Sequence, residues 1–229
     1  MEILRKGYTL QIYEGCFPLS TDSMVLADFI HLPKNARVLD LGSGCGTLGL
    51  MLCADREDCH VTGLELDTAA HTCALENIKQ NKLENRMESI CGDLRKATTL
   101  FPMGSFDVCV SNPPYFTGGP ASVRHTNARR TDTCSVQELF SAAKWALKFG
   151  GDFFLVHRPE SLAQLIACGA NAKLEAKRLC LLRHKPTDPV SLVLIQFRKG
   201  AKPGLIWEEL CLFDENGSPT DAYKKIYHQ

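Results

Sequence analysis

No two of the eleven cysteines are spaced C-x-x-C, and their number is odd. That excludes a zinc ribbon and gives no ground for a disulfide framework. No apolar run approaches the roughly 20 residues that a membrane-spanning helix needs, so no membrane partner is expected. The opening MEILRKGYTL has no apolar leader core, and most of the cysteines lie in apolar runs as reduced thiols do. A reducing cytosol is the expected location. Charge of one sign is also missing: 26 Lys and Arg balance 26 Asp and Glu, so net charge selects no partner. No linker, repeat or low-complexity stretch divides the chain. One domain over residues 1–229 is expected, with 1–35 an N-terminal extension packed on its core.

The distribution of charge is less even than its sum. Residues 112–202 hold 14 Lys and Arg against 6 Asp and Glu, while residues 1–111 hold 10 against 15. The second part is basic and the first acidic.

From residue 36 strand and helix patterns alternate over short connections, which predicts a parallel sheet covered on both faces. Strands are expected at 36–42, 59–67, 86–93, 106–112 and 152–157. Helices are expected at 47–55, 68–82, 134–151 and 159–170, with Gly150-Gly151 ending the third. Segments 172–184 and 189–200 read as two long strands joined by Lys185-Pro186-Thr187-Asp188, and so short a join requires an antiparallel hairpin. The predicted fold is a Rossmann-like α/β sheet of seven strands with the last antiparallel, the arrangement of class I S-adenosylmethionine-dependent methyltransferases.

LDLGSGCGTLGL (39–50) places Asp40, Gly42, Gly44 and Gly46 at the end of the first strand. Glycines there let the backbone turn tightly and approach a ligand, and the next helix offers free N–H groups. The same stretch satisfies G-x-G-x-x-G, with Glu65 at the distance of an acidic ribose ligand, so a dehydrogenase remains open on the glycines alone. Asp40 tilts the choice. A carboxylate at the strand end repels a pyrophosphate but suits the cationic amino group of S-adenosylmethionine. Glu65 is placed to accept both ribose hydroxyls, and Asp93, after the third strand, to accept from the adenine amine. Three acids at successive strand ends around one glycine loop match the crevice where open α/β sheets bind ligands.

The fourth strand stops at Asn112-Pro113-Pro114-Tyr115. Neither proline can donate to the ladder, and the fixed φ of each ring makes a stiff segment with set carbonyl directions. An exocyclic adenine amine is a poor nucleophile because its lone pair is delocalised. Accepting both of its hydrogens, on the Asn112 side-chain oxygen and the Pro113 carbonyl, frees that lone pair for in-line attack on a sulfonium methyl. Tyr115 offers a ring on which the base can stack. The chemistry needs no metal. Between Tyr115 and the next helix, Arg124, Arg129 and Arg130 are candidate phosphate contacts for a nucleic acid. Lys and Arg on the two last strands either extend that surface or guard an edge against aggregation.

These motifs resemble the class I methyltransferases that carry Asn-Pro-Pro-Tyr. With GYTLQIYEGCFPLSTDSMVLADFI (7–30), GLELD, GDLR, ARRTD and LCLFDENGSPTDAYKKIY (210–227), the chain is most similar to the bacterial family that methylates the adenine exocyclic amine beside the anticodon of valine tRNA. The resemblance implies tRNA as partner, S-adenosylmethionine as cofactor, and Thr21 and Asp22 near that cofactor. The same four residues also serve enzymes that methylate a glutamine side-chain amide in a translation termination factor. Those carry a separate N-terminal helical domain, for which about 35 residues are too few. A cofactor-binding protein without catalysis would leave Asn-Pro-Pro-Tyr idle.

Overall fold

The computed structural model describes residues 1–114 and 134–227. Two short strands, β1 (Glu2–Ile3) and β2 (Thr9–Leu10), pair antiparallel and precede helix α1 (Thr21–Phe29). Then follow β3 (Arg37–Leu41), α2 (Thr47–Asp55), β4 (His60–Glu65), α3 (Thr68–Gln80), β5 (Met87–Cys91), a short α4 (Ala97–Leu100) and β6 (Phe106–Ser111). The last part is α5 (Val136–Ala146), β7 (Leu147–His157), α6 (Leu162–Ala172), β8 (Leu174–Arg183), β9 (Val190–Lys199), β10 (Ile206–Cys211) and α7 (Asp221–Tyr227).

Among the described residues, eight strands form one sheet in the order β10-β8-β9-β7-β6-β3-β4-β5. Strands β3 to β7 pair parallel, and β9 runs antiparallel to both β7 and β8, as the four-residue join requires. The reversed strand is the expected seventh, but an eighth, β10, adds parallel to β8 at the edge. Its first four residues, Ile206, Trp207, Glu208 and Glu209, are all exposed, so the period-2 alternation that marks a half-buried strand is absent.

Alternate residues of each central strand bury into two layers. Val38, Val61, Val108, Val110, Phe154 and Val156 pack with α1, α2 and α3, and Leu39, Leu41, Cys109, Phe153 and Leu155 pack with α4, α5 and α6. Leu4 and Leu10 from the N-terminal segment join the first layer.

Helix α5 is shorter than expected. It opens on a capping box, in which Ser135 Oγ accepts the Glu138 N–H (3.2 Å) and Glu138 Oε2 accepts the Ser135 N–H (2.7 Å). It ends at Ala146 rather than at the glycine pair, because fully buried Leu147 already pairs with Phe106 in the sheet. Gly150-Gly151 lies inside β7, in an irregularity between the Leu147 and Asp152 pairings. A Cβ on Gly151 would stand 2.8 Å from the Asp107 carbonyl oxygen, so the glycine serves strand contact instead of a helix stop.

Candidate cofactor and active site

Strand β3 ends in a turn held by glycine. Gly42, Gly44 and Gly46 have φ of +77°, +54° and +84°, the left-handed region that side chains disfavour. The Gly42 and Ser43 N–H groups both donate to Leu64 O, at 2.9 and 3.2 Å, which seats the loop on the end of β4. A Cβ on Gly42 or Gly44 would meet nothing within 4 Å among the described residues, which leaves room there for a ligand. Gly46 is different. It is the N-cap of α2, and a Cβ there would stand 3.0 Å from Met87 Cε.

The acids differ in how they are held. Asp40 is 2 % exposed and its Oδ2 has no hydrogen-bond partner among the described residues. Burial, and secondarily the charge of Glu65, push its carboxyl up to about 8. Glu65, at the end of β4, accepts the Gly44 N–H at Oε2 (2.7 Å) and the Asp67 N–H at Oε1 (2.8 Å). Each oxygen keeps a lone pair for a further donor. Asp93 Oδ1 accepts the Arg95 N–H (2.9 Å), and its carboxylate pairs with the Arg95 guanidinium (2.7 Å). Hydrogen bonding from Arg95 holds Asp93 below the usual carboxylate range. An adenine amine at Asp93 would share the carboxylate with that arginine.

Asn112 follows β6 on the α1 face of the sheet. Its Nδ2 donates to Ser23 Oγ (3.0 Å), and the Ser23 N–H lies 3.4 Å from the hydroxyl of Ser20, the N-cap of α1. The amide is thereby turned so that Oδ1 is left as acceptor. Pro113 is buried and Pro114 exposed. Behind Asn112, fully buried Ser111 donates Oγ–H to Leu41 O (2.7 Å), tying the end of β6 to the end of β3.

Thr21 and Asp22 line a separate cavity of ≈ 350 Å³ with Arg158 and the C-terminal aromatics, and no glycine-loop residue lines it. Burial raises the Asp22 carboxyl, and Arg158 opposes that shift. Tyr115, Arg124, Arg129 and Arg130 lie outside the described residues. On the last strands, Arg178, Arg183 and Arg198 are ion-paired with Glu208, Glu209 and Asp152.

The sequence reading missed the residues that hold the site in place. Ser23 fixes Asn112. Asn77, fully buried on α3, accepts the Gln11 N–H at Oδ1 (2.8 Å) and donates to Gln11 O (2.8 Å) and Cys45 O (2.9 Å). It joins the N-terminal segment to the glycine loop. Its signal was available: an asparagine seven residues after Ala70, on the buried Ala70, Cys73, Ala74 face of α3. Among the described residues no helix is long and apolar enough to cross a membrane, and no group of three His, Cys, Asp or Glu residues is placed to hold a metal ion.

With this geometry in place, comparison with known proteins adds family and fold. The profile of the methyltransferase small domain matches residues 19–167. A Bacteroides fragilis protein named tRNA1(Val) (adenine(37)-N6)-methyltransferase is 32% identical over 195 residues, covering 84% of this chain and 81% of that one. A protein of the same name from Shewanella sp. (strain MR-4) is 35% identical over 207 residues, covering 89% and 87%. Among solved structures, a predicted O-methyltransferase from Agrobacterium tumefaciens superposes with a TM-score of 0.77 at 20% identity, covering 91% of this chain and 96% of that one. The geranyl diphosphate C-methyltransferase of Streptomyces coelicolor, solved with S-adenosyl-L-homocysteine, gives 0.55 at 14% identity, covering 77% and 78%. These two likenesses concern the fold.

Proposed function

Because the chain belongs to the methyltransferase small-domain family, and within it to the tRNA1(Val) (adenine(37)-N6)-methyltransferases, we propose that it transfers a methyl group from S-adenosylmethionine to the exocyclic amine of adenine 37 in a valine tRNA. The observation that carries the reading to particular atoms is the Asn112 amide, held by Ser23 with its oxygen left as acceptor at the carboxyl end of β6.

The residues around the glycine loop fit the cofactor. A buried carboxylate oxygen without a partner, on Asp40, suits an ammonium group, and Gly42 and Gly44 leave their Cβ positions empty beside it. Glu65 would take the ribose hydroxyls and Asp93 the adenine. When bound, the cofactor supplies an electrophilic sulfonium methyl. The chain's own part is to position and to polarise. Asn112 Oδ1 and the Pro113 carbonyl accept the two amine hydrogens, which localises the lone pair on nitrogen. Tyr115 stacks the extruded base, and Arg124, Arg129 and Arg130 bind phosphates.

The same polarising pair would serve a glutamine side-chain amide, and the named relatives favour tRNA. All eleven cysteines are free thiols, which supports action in a reducing cytoplasm. Nucleoside mass spectrometry of valine tRNA from a strain lacking the protein tests the reading. Loss of one N6-methyladenosine, restored by the wild-type protein and not by Asn112→Ala, is expected. An unchanged nucleoside profile refutes it.

A further inference from the structure

Beside the reaction point, the carboxyl edge of the sheet holds a second concavity. The cavity of ≈ 350 Å³ lies among the ends of β7, β8 and β9, the start of α1, and α7. Along the strand order the glycine loop lies over β3 and β4, Asn112 follows β6, and this cavity comes next. Ser23, which holds Asn112, is two residues from Thr21 in the cavity wall, a rise of about 3 Å along the helix.

Its wall is a run of four rings. His184 stacks on Phe213 (centroids 4.6 Å, 21°), Phe213 meets Tyr223 at 4.9 Å, and Tyr223 stacks on Tyr227 (4.4 Å, 23°). Helix α7 holds the run in place. Thr220 Oγ1 accepts the Tyr223 N–H (3.2 Å), Lys225 pairs with Asp28 (2.9 Å), and Tyr227 Oη donates to Thr21 Oγ1 (3.0 Å). Ile226 is buried beneath them. Fixed rings take a planar partner at little cost in side-chain entropy. Arg158, a surface residue, also lines this space, as does Asp22. The volume is at the low end of small-ligand pockets, ~300–1,000 Å³, which is room for one nucleotide and no folded element.

We propose that this cavity is a second nucleotide subsite, in which a base of the bound RNA next to the methylated adenine stacks at an end of the His184, Phe213, Tyr223, Tyr227 run while Arg158 meets its phosphate. The proposal rests on the reading of the protein as an RNA adenine methyltransferase. An adenine extruded for methylation leaves its neighbour without a stacking partner, and a protein ring replaces what is lost.

The test is fluorescence anisotropy of the full chain with a valine anticodon stem-loop RNA, intact or abasic at the nucleotide beside the target. The abasic change should weaken wild-type binding about ten-fold, the size of one lost stack. Tyr223→Leu should weaken binding of the intact RNA similarly, and the two changes together no further than either alone, with S-adenosylmethionine affinity unchanged. Should Tyr223→Leu lower the melting temperature, His184→Ala, at the exposed end of the run, and Arg158→Gln give the same comparison. Additive losses overturn the subsite. Binding of adenosine monophosphate that Tyr223→Leu abolishes, together with additive RNA losses, assigns the cavity to a free nucleotide and also overturns it. Methyl transfer is read separately. Non-additive binding without transfer overturns the enzyme reading and keeps the subsite, whereas transfer with additive losses does the reverse.

Discussion

Replacing Asp40 by asparagine tests the cofactor site through protons. In the free protein, burial and the nearby Glu65 raise the Asp40 carboxyl to about 8, so at pH 7 about ten molecules are protonated for each one ionised. An ammonium group docking on the orphaned Oδ2 reverses that preference. Binding of S-adenosylmethionine at pH 7 should therefore release close to one proton. The dissociation constant should fall about ten-fold from pH 6 to pH 7, continue to fall to pH 8 and flatten only above it. Titration calorimetry in two buffers of different ionisation heat counts the protons. In Asp40→Asn, binding should be weaker, with this proton release and pH slope gone. The free protein carries the complementary signature. A carboxyl raised above its unfolded value, near 3.9, stabilises the fold most below that value, and the contribution is lost as pH rises through about 8. Asp40→Asn should flatten the fall in melting temperature between pH 6 and pH 8. A wild-type proton count near zero, or the same pH slope in the mutant, would refute the assignment of Asp40 to the ammonium.

Asn112→Ala should leave S-adenosylmethionine binding nearly intact and lower kcat by roughly 100-fold or more, as loss of a preorganised acceptor does; a wild-type rate in single turnover sinks the mechanism. Ser23→Ala frees the Asn112 amide to rotate, so kcat should fall about 3- to 10-fold, the worth of one ordinary hydrogen bond, with cofactor affinity unchanged. An equal rate would show that Ser23 does not orient the amide. Asn77→Ala strands the Gln11 amide and the Cys45 carbonyl and should cost about 2–3 kcal/mol in urea unfolding, together with weaker cofactor binding; loss of stability alone would detach Asn77 from the glycine loop. The double change Arg129→Glu, Arg130→Glu should weaken tRNA binding and lessen its salt dependence while leaving the cofactor alone, which salt titrations of both ligands check.

Local signals carried much of this fold. Helix α2 begins where Gly46 caps it, and the β8–β9 hairpin follows from a join too short for a crossover. Local pattern misled where the sheet decided the outcome: Leu147 continues the apolar spacing of α5, yet pairing with Phe106 draws it into β7. Strand β10 escaped because its exposed edge has no face to bury. Among the candidate site residues, Asp40, Glu65 and Asn112 stand at strand ends, where the sequence placed them. Their supports are not placed so directly, since Ser23 meets Asn112 across 89 positions and Asn77 meets Gln11 across 66. Contacts of that range follow from the packing of α1 and α3 on the sheet, which no window along the chain contains.

The bond from Tyr227 to Thr21 spans 206 positions, and the Lys225–Asp28 pair lies beside it. By contrast, the turn from β3 through Glu65 to Ser111 closes over 70 positions or fewer. Closing the longer loop costs about 1 kcal/mol more in chain entropy, so the shorter-range contacts are expected to form first. The glycine loop, with its bonds to β4 and β6, can form while the remainder of the sheet is still unpaired. The aromatic cavity waits for α7, the last described helix, to return to α1, the first. A chain caught partway through folding would hold the glycine loop before it held the aromatic cavity.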